Sequence, residues 1–283
     1  MRTLRIAALA LAIAGGMGAA APPQAPDRGS FAACEQRYAV TGLPSMKSDG
    51  SENGPIAVCH TGYALAYNPE TRTPDWVIEH LPLDWLSGKA NRKNNFHDDT
   101  APVVGPDGPH SKDYNSTNFD RGHQAPAGDF KSSQPMTDES FNMTNMAPQV
   151  GVGFNRNIWK DLETRVRAWL LCGGRSELYI VTGPIFGDEQ KWIPSGKKRV
   201  RVPEAFFKVI YDPTNKRALG MLLPNQKLDS ADLPSYAVPI SEIEERTGIV
   251  FFTKMTKRTQ AVLKKSAGTL WGVDSSCDKD VDD

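Results

Sequence analysis

The chain has 283 residues, 33 basic and 33 acidic side chains, and a composition that is 39% hydrophobic and 8% aromatic. That length suits one large domain or two small ones, and the apolar content supports a packed core. The even charge balance excludes a uniformly basic nucleic-acid coat, so any polyanion binding must come from a local patch.

At the N-terminus, Arg2 and Arg5 precede an apolar run from Ile6 to Ala14 and small residues through Ala21. A charged start, a short apolar middle and a small-residue exit describe a secretory signal peptide over residues 1–21. The run is shorter than the ~20 apolar residues that a membrane-spanning helix needs, so a retained anchor is the weaker alternative. No other segment could span a membrane, and export to the periplasm or the medium is expected. Without Arg2 and Arg5 the chain holds 31 basic against 33 acidic residues. Residues 22–55 form a leader and loop, 56–275 a single domain, and 276–283 an acidic tail.

Cys34, Cys59, Cys172 and Cys277 are an even set in a chain bound for an oxidising compartment, so two disulfides are expected, with three pairings open. Cys34–Cys59 and Cys172–Cys277 are favoured, the first closing an N-terminal loop and the second stapling the tail to the core. None of the pairs has the close spacing of a zinc site.

Gly62–Tyr67 predicts a strand, Asn68–Pro69 a turn, and Trp76–Leu81 the hairpin partner. Residues 87–119 are polar and loop-like, and loops of that length are usually functional or disordered. Met143–Val150 is extended. A helix is expected from near Asn155 to the glycines after Cys172. Strands follow at Leu178–Thr182, Ala205–Tyr211 and Ala218–Leu223, separated by Gly-Pro and Asp-Pro turns. Ser241 and Glu244 have capping-box spacing at the head of a short helix that stops at Gly248. This order implies an α+β fold with an antiparallel or mixed sheet and helices packed on it.

On the helix beginning near Asn155, Ile158, Trp159, Leu162, Val166, Trp169 and Leu170 share one stripe at roughly 100° per residue, which faces the core. Asn155 projects onto the same stripe, where an amide is either a cap, a satisfied core group or a metal ligand. Glu163 and Arg167 sit one turn apart at its edge and, by themselves, make an ordinary i,i+4 pair. His123 follows Asp120-Arg121-Gly122, where the glycine allows unusual backbone angles between functional side chains. His60, His80, His97 and His110 have no such setting and are read as structural or surface residues. Lys197, Lys198, Arg199 and Arg201, and Arg156, Lys160, Arg165 and Arg167, are the candidate basic patches; the first run taken alone is a solvated face.

The stretch Asp120-Arg121-Gly122-His123-Gln124-Ala125-Pro126-Ala127 resembles the DRGH signature of the DNA/RNA non-specific endonucleases of the ββα-metal fold. The likeness continues through Ser140–Gln149, Phe154–Trp159 and Leu162-Glu163, and into the strands near Tyr179 and Val202, covering roughly residues 60 to 270. DRGH followed 32 residues later by Asn-x-x-x-Trp-x-x-x-Glu-x-x-x-Arg is a specific combination. The resemblance implies a ββα-metal core in which a central, mostly antiparallel sheet is flanked by helices and long loops. It implies His123 as general base, Asn155 as the single direct protein ligand to Mg²⁺, and Glu163 as holder of metal-bound waters. Arg121 and Arg167 match the arginines near the scissile phosphate. Asp120 and Asn145 match supporting positions around the site, and Arg156 joins them as a substrate-side residue. Thr144 stands where serine is common.

These residue types suit phosphodiester hydrolysis. Histidine titrates near neutrality and can take a proton from water. Mg²⁺ prefers oxygen ligands and keeps several waters, and Mn²⁺ can substitute. Arginine forks match phosphate oxygens. Every contact goes to phosphate or water and reads no base, so DNA and RNA are both expected substrates, bound through the backbone and cut to 5′-phosphate products. Two alternatives are an inactive nucleic-acid-binding protein on this fold and a phosphodiesterase for small substrates. The sequence leaves monomer and homodimer open.

Overall fold

A computed structural model describes residues 28–46, 54–193 and 199–273. The expected signal peptide and acidic tail, Cys277, and Lys197 and Lys198 of the basic run lie outside the described residues. The strands are β1 (Ser45–Met46), β2 (Ile56–Cys59), β3 (Tyr63–Asn68), β4 (Thr73–Pro82), β5 (Phe119–His123) and β6 (Met146–Val150). They continue with β7 (Glu177–Ile185), β8 (Trp192–Ile193), β9 (Val200–Arg201), β10 (Ala205–Asp212), β11 (Arg217–Pro224), β12 (Ala237–Val238) and β13 (Ile249–Val250). The α-helices are α1 (Gln134–Glu139), α2 (Lys160–Leu171), α3 (Ile240–Thr247) and α4 (Lys257–Lys264).

Seven strands form one sheet in the order β12-β11-β10-β7-β4-β3-β2, and all its pairings are antiparallel. The hairpin read at Gly62–Leu81 is β3–β4, with a register shift at Ala66/Tyr67. The runs read near Leu178, Ala205 and Ala218 become β7, β10 and β11. The middle strands are covered on both faces, which is why β7 and β10 are apolar at successive positions rather than alternating. One face carries Trp76, Ile78, Val181, Phe207 and Val209 and packs on Ile240 and Ile243 of α3 and Leu263 of α4. The other carries Leu81, Ile180, Phe206 and Ile210 and packs on Leu162, Val166, Trp169 and Leu170 of α2. Burying each such large side chain contributes roughly 1.5–3 kcal/mol, so α2 is held by its stripe far more than by its intrinsic propensity.

Cys34 and Cys59 form a disulfide with Cα atoms 5.9 Å apart. Cys172 is also disulfide-bonded; its expected partner lies outside the described residues. No helix among the described residues is long and apolar enough to cross a membrane.

Two helix starts differ from the sequence reading. The helix expected from Asn155 is regular only from Lys160; Gly151–Trp159 is a π-helical segment interrupted by non-helical backbone at Val152, Gly153 and Asn157. Gly153 lies at φ 92°, a region only glycine enters without strain. The Asn157 side chain accepts the Gly153 N–H at 2.7 Å, replacing helical bonding with a local one. The capping box at Ser241 does not form: α3 begins at Ile240, two residues before the start that an N-cap at Ser241 implies, behind Pro239 and with no side-chain cap. Glu244 instead accepts the Phe251 N–H at 2.8 Å and pairs with Lys264 at 2.7 Å. The helix does stop at Gly248, which is left-handed.

Candidate active site

β5 and β6 form a separate two-stranded ribbon, with His123 opposite Met146 and Arg121 opposite Pro148. The chain then turns through the π segment into α2. This strand–strand–helix succession sets two sequence regions face to face across a cleft of about 680 Å³. Phe119, Asp120, Arg121, His123 and Pro126 line it from the β5 side, and Asn155, Arg156, Lys160 and Glu163 from the helix side.

On the β5 side, His123 is 8% exposed. Its ring meets Phe141 edge-on at 4.9 Å and lies tilted to Phe96 at 5.6 Å. Asn145 lies beneath, fully buried and outside the cleft. It accepts the Ala125 N–H at 3.0 Å and donates to the carbonyls of Ala125 at 2.9 Å and Ser140 at 2.8 Å. Those bonds tie Asn145 to the backbone just after His123. Gly122 is glycine for space rather than for angle. Its φ is not positive, but a Cβ there would lie 2.2 Å from the buried Gln149 side chain.

Arg121 is held by the polar loop. Its Nε and Nη2 donate to the Ser111 carbonyl at 3.1 and 2.8 Å, and Nη2 also donates to Asn115 Oδ1 at 3.1 Å. The guanidinium lies over the rings of Phe96 and Tyr114, at 5.3 and 5.7 Å. The loop is itself anchored by a buried Arg72–Asp113 pair at 2.9 Å and by His60–Asp99 at 3.0 Å. Thus His60, read as structural from the sequence, is structural in service of the site.

On the helix side, Asn155 donates through Nδ2 to Asp120 Oδ2 at 3.0 Å, and Arg156 grips the same carboxylate at 2.8 and 2.6 Å. Partial burial would raise the Asp120 carboxyl. The hydrogen bonds from Arg156 and Asn155, with the charges of Arg156 and Arg121, outweigh it and hold the group below the usual carboxylate range. An amide whose N–H₂ is committed to an anion keeps its Oδ1 as its acceptor end, the donor type a hard cation takes. Among the described residues no three His, Cys, Asp or Glu side chains cluster to hold a metal. The Asn155 Oδ1 and the Glu163 carboxylate, which line the same cleft, are oxygen donors of the kind that suits a hydrated divalent ion.

Arg167, like Asn145, is an expected site residue that lies outside the cleft. It is 1% exposed and pairs with Asp129 at 3.0 Å. One turn beyond Glu163 on α2 it faces the interior, so it does not clamp the phosphate directly. Sequence reasoning missed Arg92, Asn94 and Phe96, which reach the cleft from the polar loop. Their only signal was a long polar segment ending at the motif.

Cations along both sides of a polar cleft, with an imidazole facing an amide–carboxylate pair, define a divalent-metal-assisted nuclease. The chain belongs to the DNA/RNA non-specific endonuclease family, whose sequence pattern matches residues 44–258. It is 39% identical over 227 residues to a nuclease of Syncephalastrum racemosum, covering 72% of this chain and 70% of that protein. It is 32% identical over 272 residues to the mitochondrial endonuclease G of Bos taurus, covering 92% and 86%. Among solved structures it is similar to endonuclease G in an EndoG/EndoGI complex that reports the mechanism of EndoG inhibition. That match has a TM-score of 0.68 and 28% identity, and covers 83% of this chain and 96% of the other. The protein is a nuclease of a family that depends on a divalent metal, and nucleic acid is its substrate.

Proposed function

We propose that this protein is an exported, sugar-non-specific endonuclease that hydrolyses DNA and RNA to 5′-phosphate products, with His123 as general base and Mg²⁺ as its cation. The observation that carries this reading is the convergence of His123, Asn155 and Glu163 on one polar cleft. His123 takes a proton from a water, whose oxygen attacks phosphorus; the bond to the 3′-oxygen breaks, and that oxygen leaves with a proton from solvent. Asn155 would hold the ion, with Mn²⁺ as a substitute, and Glu163 would orient the ion's waters through hydrogen bonds. Bound there, the ion would offset charge on the phosphate and on the departing oxygen. Arg121 and Arg156, joined by Arg92, supply donors to phosphate oxygens. None of these groups needs a base edge or a 2′-hydroxyl, which supports action on both DNA and RNA.

The N-terminal charge and apolar pattern supports export, and the three disulfide-bonded cysteines, Cys34, Cys59 and Cys172, fit an oxidising compartment. Several relatives are mitochondrial by name, so compartment is tested separately, by fractionating cells that express the full chain. Residues 56–275 are the proposed nuclease domain. Digestion of supercoiled plasmid and of structured RNA, with Mg²⁺ and with EDTA, tests the activity. Cleavage of both only with the metal, lost in His123→Ala, is expected; cleavage unaffected by EDTA would contradict it.

A further inference from the structure

Beneath Glu163 lies a group of buried ionisable side chains for which the reaction outlined above has no use. Arg167 pairs with Asp129, whose side chain is 3% exposed. Glu79 on β4 and Lys208 on β10 are each 1% exposed. Glu79 is opposite Ile180, and Thr182 is opposite both Val77 and Lys208. Side-chain alternation therefore puts Glu79, Thr182 and Lys208 together on the sheet face that packs against α2. Lys208 Nζ donates to Thr182 Oγ1 at 2.7 Å and lies 5.2 Å from the Trp159 ring centre. Glu79 feels Asp129, Lys208 and Glu163.

An apolar set of equal volume would pack α2 on the sheet at least as well, because desolvating charges often costs more than their pairing returns. What the polar set adds is direction. Of these groups Glu163 alone lines the cleft, and the others stand behind it.

We propose that Glu79 and Lys208 are positioning residues of the nuclease: with Asp129 and Arg167 they form a buried polar column from the central sheet to Glu163 that keeps its carboxylate fixed and aimed into the cleft. The proposal rests on the reading of Glu163 as the group that orients the waters of a cation. Burial, and then the Asp129 charge, push the Glu79 carboxyl well above its usual range. Supporting groups of this kind usually alter activity roughly 10–100-fold when removed.

The test compares Glu79→Leu, Glu79→Gln and Lys208→Met, each in the wild-type and the Glu163→Gln background, by kcat, KM for DNA, the Mg²⁺ concentration giving half-maximal rate, and Tm. Glu79→Leu should lower kcat about tenfold or more, leave KM within about twofold and raise the Mg²⁺ requirement. Glu79→Gln, neutral and of the same shape, should stay within about threefold of wild type. In the Glu163→Gln background the Leu variant should cost less than about twofold further, because the two act as one unit. A folded Glu79→Leu protein with the wild-type kcat and Mg²⁺ curve would overturn the proposal. So would an equal loss in the Gln and Leu variants, or an undiminished loss in the Glu163→Gln background. If Glu79→Leu fails to fold, Lys208→Met, whose chain keeps its packing on Trp159, must show the same kcat and Mg²⁺ signature; wild-type behaviour there overturns it too. Loss of cleavage in His123→Ala, measured alongside, separates failure of this inference from failure of the nuclease reading.

Discussion

The two sides of the cleft are built on different principles. On the β5 side the cations depend on a loop: Arg121 of β5 is held by Ser111 and Asn115, and Arg92 reaches in from the same polar stretch. These groups are partly solvated, and the loop is held to the domain at a few points such as Arg72–Asp113. The helix side rises from the packed interior, with Glu163 backed by Arg167, Asp129, Glu79 and Lys208, all nearly inaccessible. Solvated cations capture a polyanion and are screened by salt. Buried, paired groups hold one orientation and are screened little. The solvated cations, Arg121 and Arg92 with Arg156 at the rim of the helix side, should therefore govern how substrate is bound, and the buried support behind Glu163, with His123, how fast it is cut.

Mutations can sharpen or break that division. His123→Ala should cause the largest change, a loss of roughly 10²–10⁴-fold in kcat with Tm and KM little altered; a rate within a few fold of wild type would remove its role as base. Asn155→Ala should follow, with roughly 10–100-fold lower activity at fixed Mg²⁺, partly recovered at higher metal. A metal titration superimposable on wild type would count against it as the ligand. Arg92→Ala should raise KM several-fold, leave kcat nearly unchanged and reduce the slope of log affinity against log salt by roughly one. An effect confined to kcat would move Arg92 to the other side of the comparison.

The smallest effect concerns pH. The Asp120 carboxyl is depressed in the folded state, so its stabilising contribution is complete above the unfolded carboxyl value, near ~3.9, and fades as pH falls through the lower folded value. Asp120→Asn should flatten the acid limb of a Tm-versus-pH curve, by less than about 1 kcal/mol because Arg156, its partner, is largely solvated. An Asn variant with an acid limb as steep as wild type would contradict this.

The division also explains what was legible in the sequence. β3, β4, β7, β10 and β11 announce themselves because buried strands are runs of apolar and β-branched residues, and the motif residues sit in an uncommon order. Two-residue strands such as β1, β8 and β13 carry no period to detect. The helix onset was misplaced because Asn157 and Gly153 bond to each other locally, which a hydrophobic stripe cannot reveal. The resemblance places Arg167 near the phosphate, and spacing alone cannot show that an arginine one turn after Glu163 faces Asp129 instead. Arg92 and Phe96 were hidden because a loop has no periodicity, and only folding brings residue 92 beside residue 155.

The central claim is that His123 and Asn155 serve one cation-bearing cleft, and paramagnetic broadening by Mn²⁺ of the histidine ring signals tests it most directly. The account predicts that His123 broadens at the lowest Mn²⁺ while His80, which stacks on Tyr179 away from the cleft, stays sharp, and that Asn155→Ala abolishes the effect. Broadening of His123 that is no greater than that of His80, or that survives in Asn155→Ala, would contradict it.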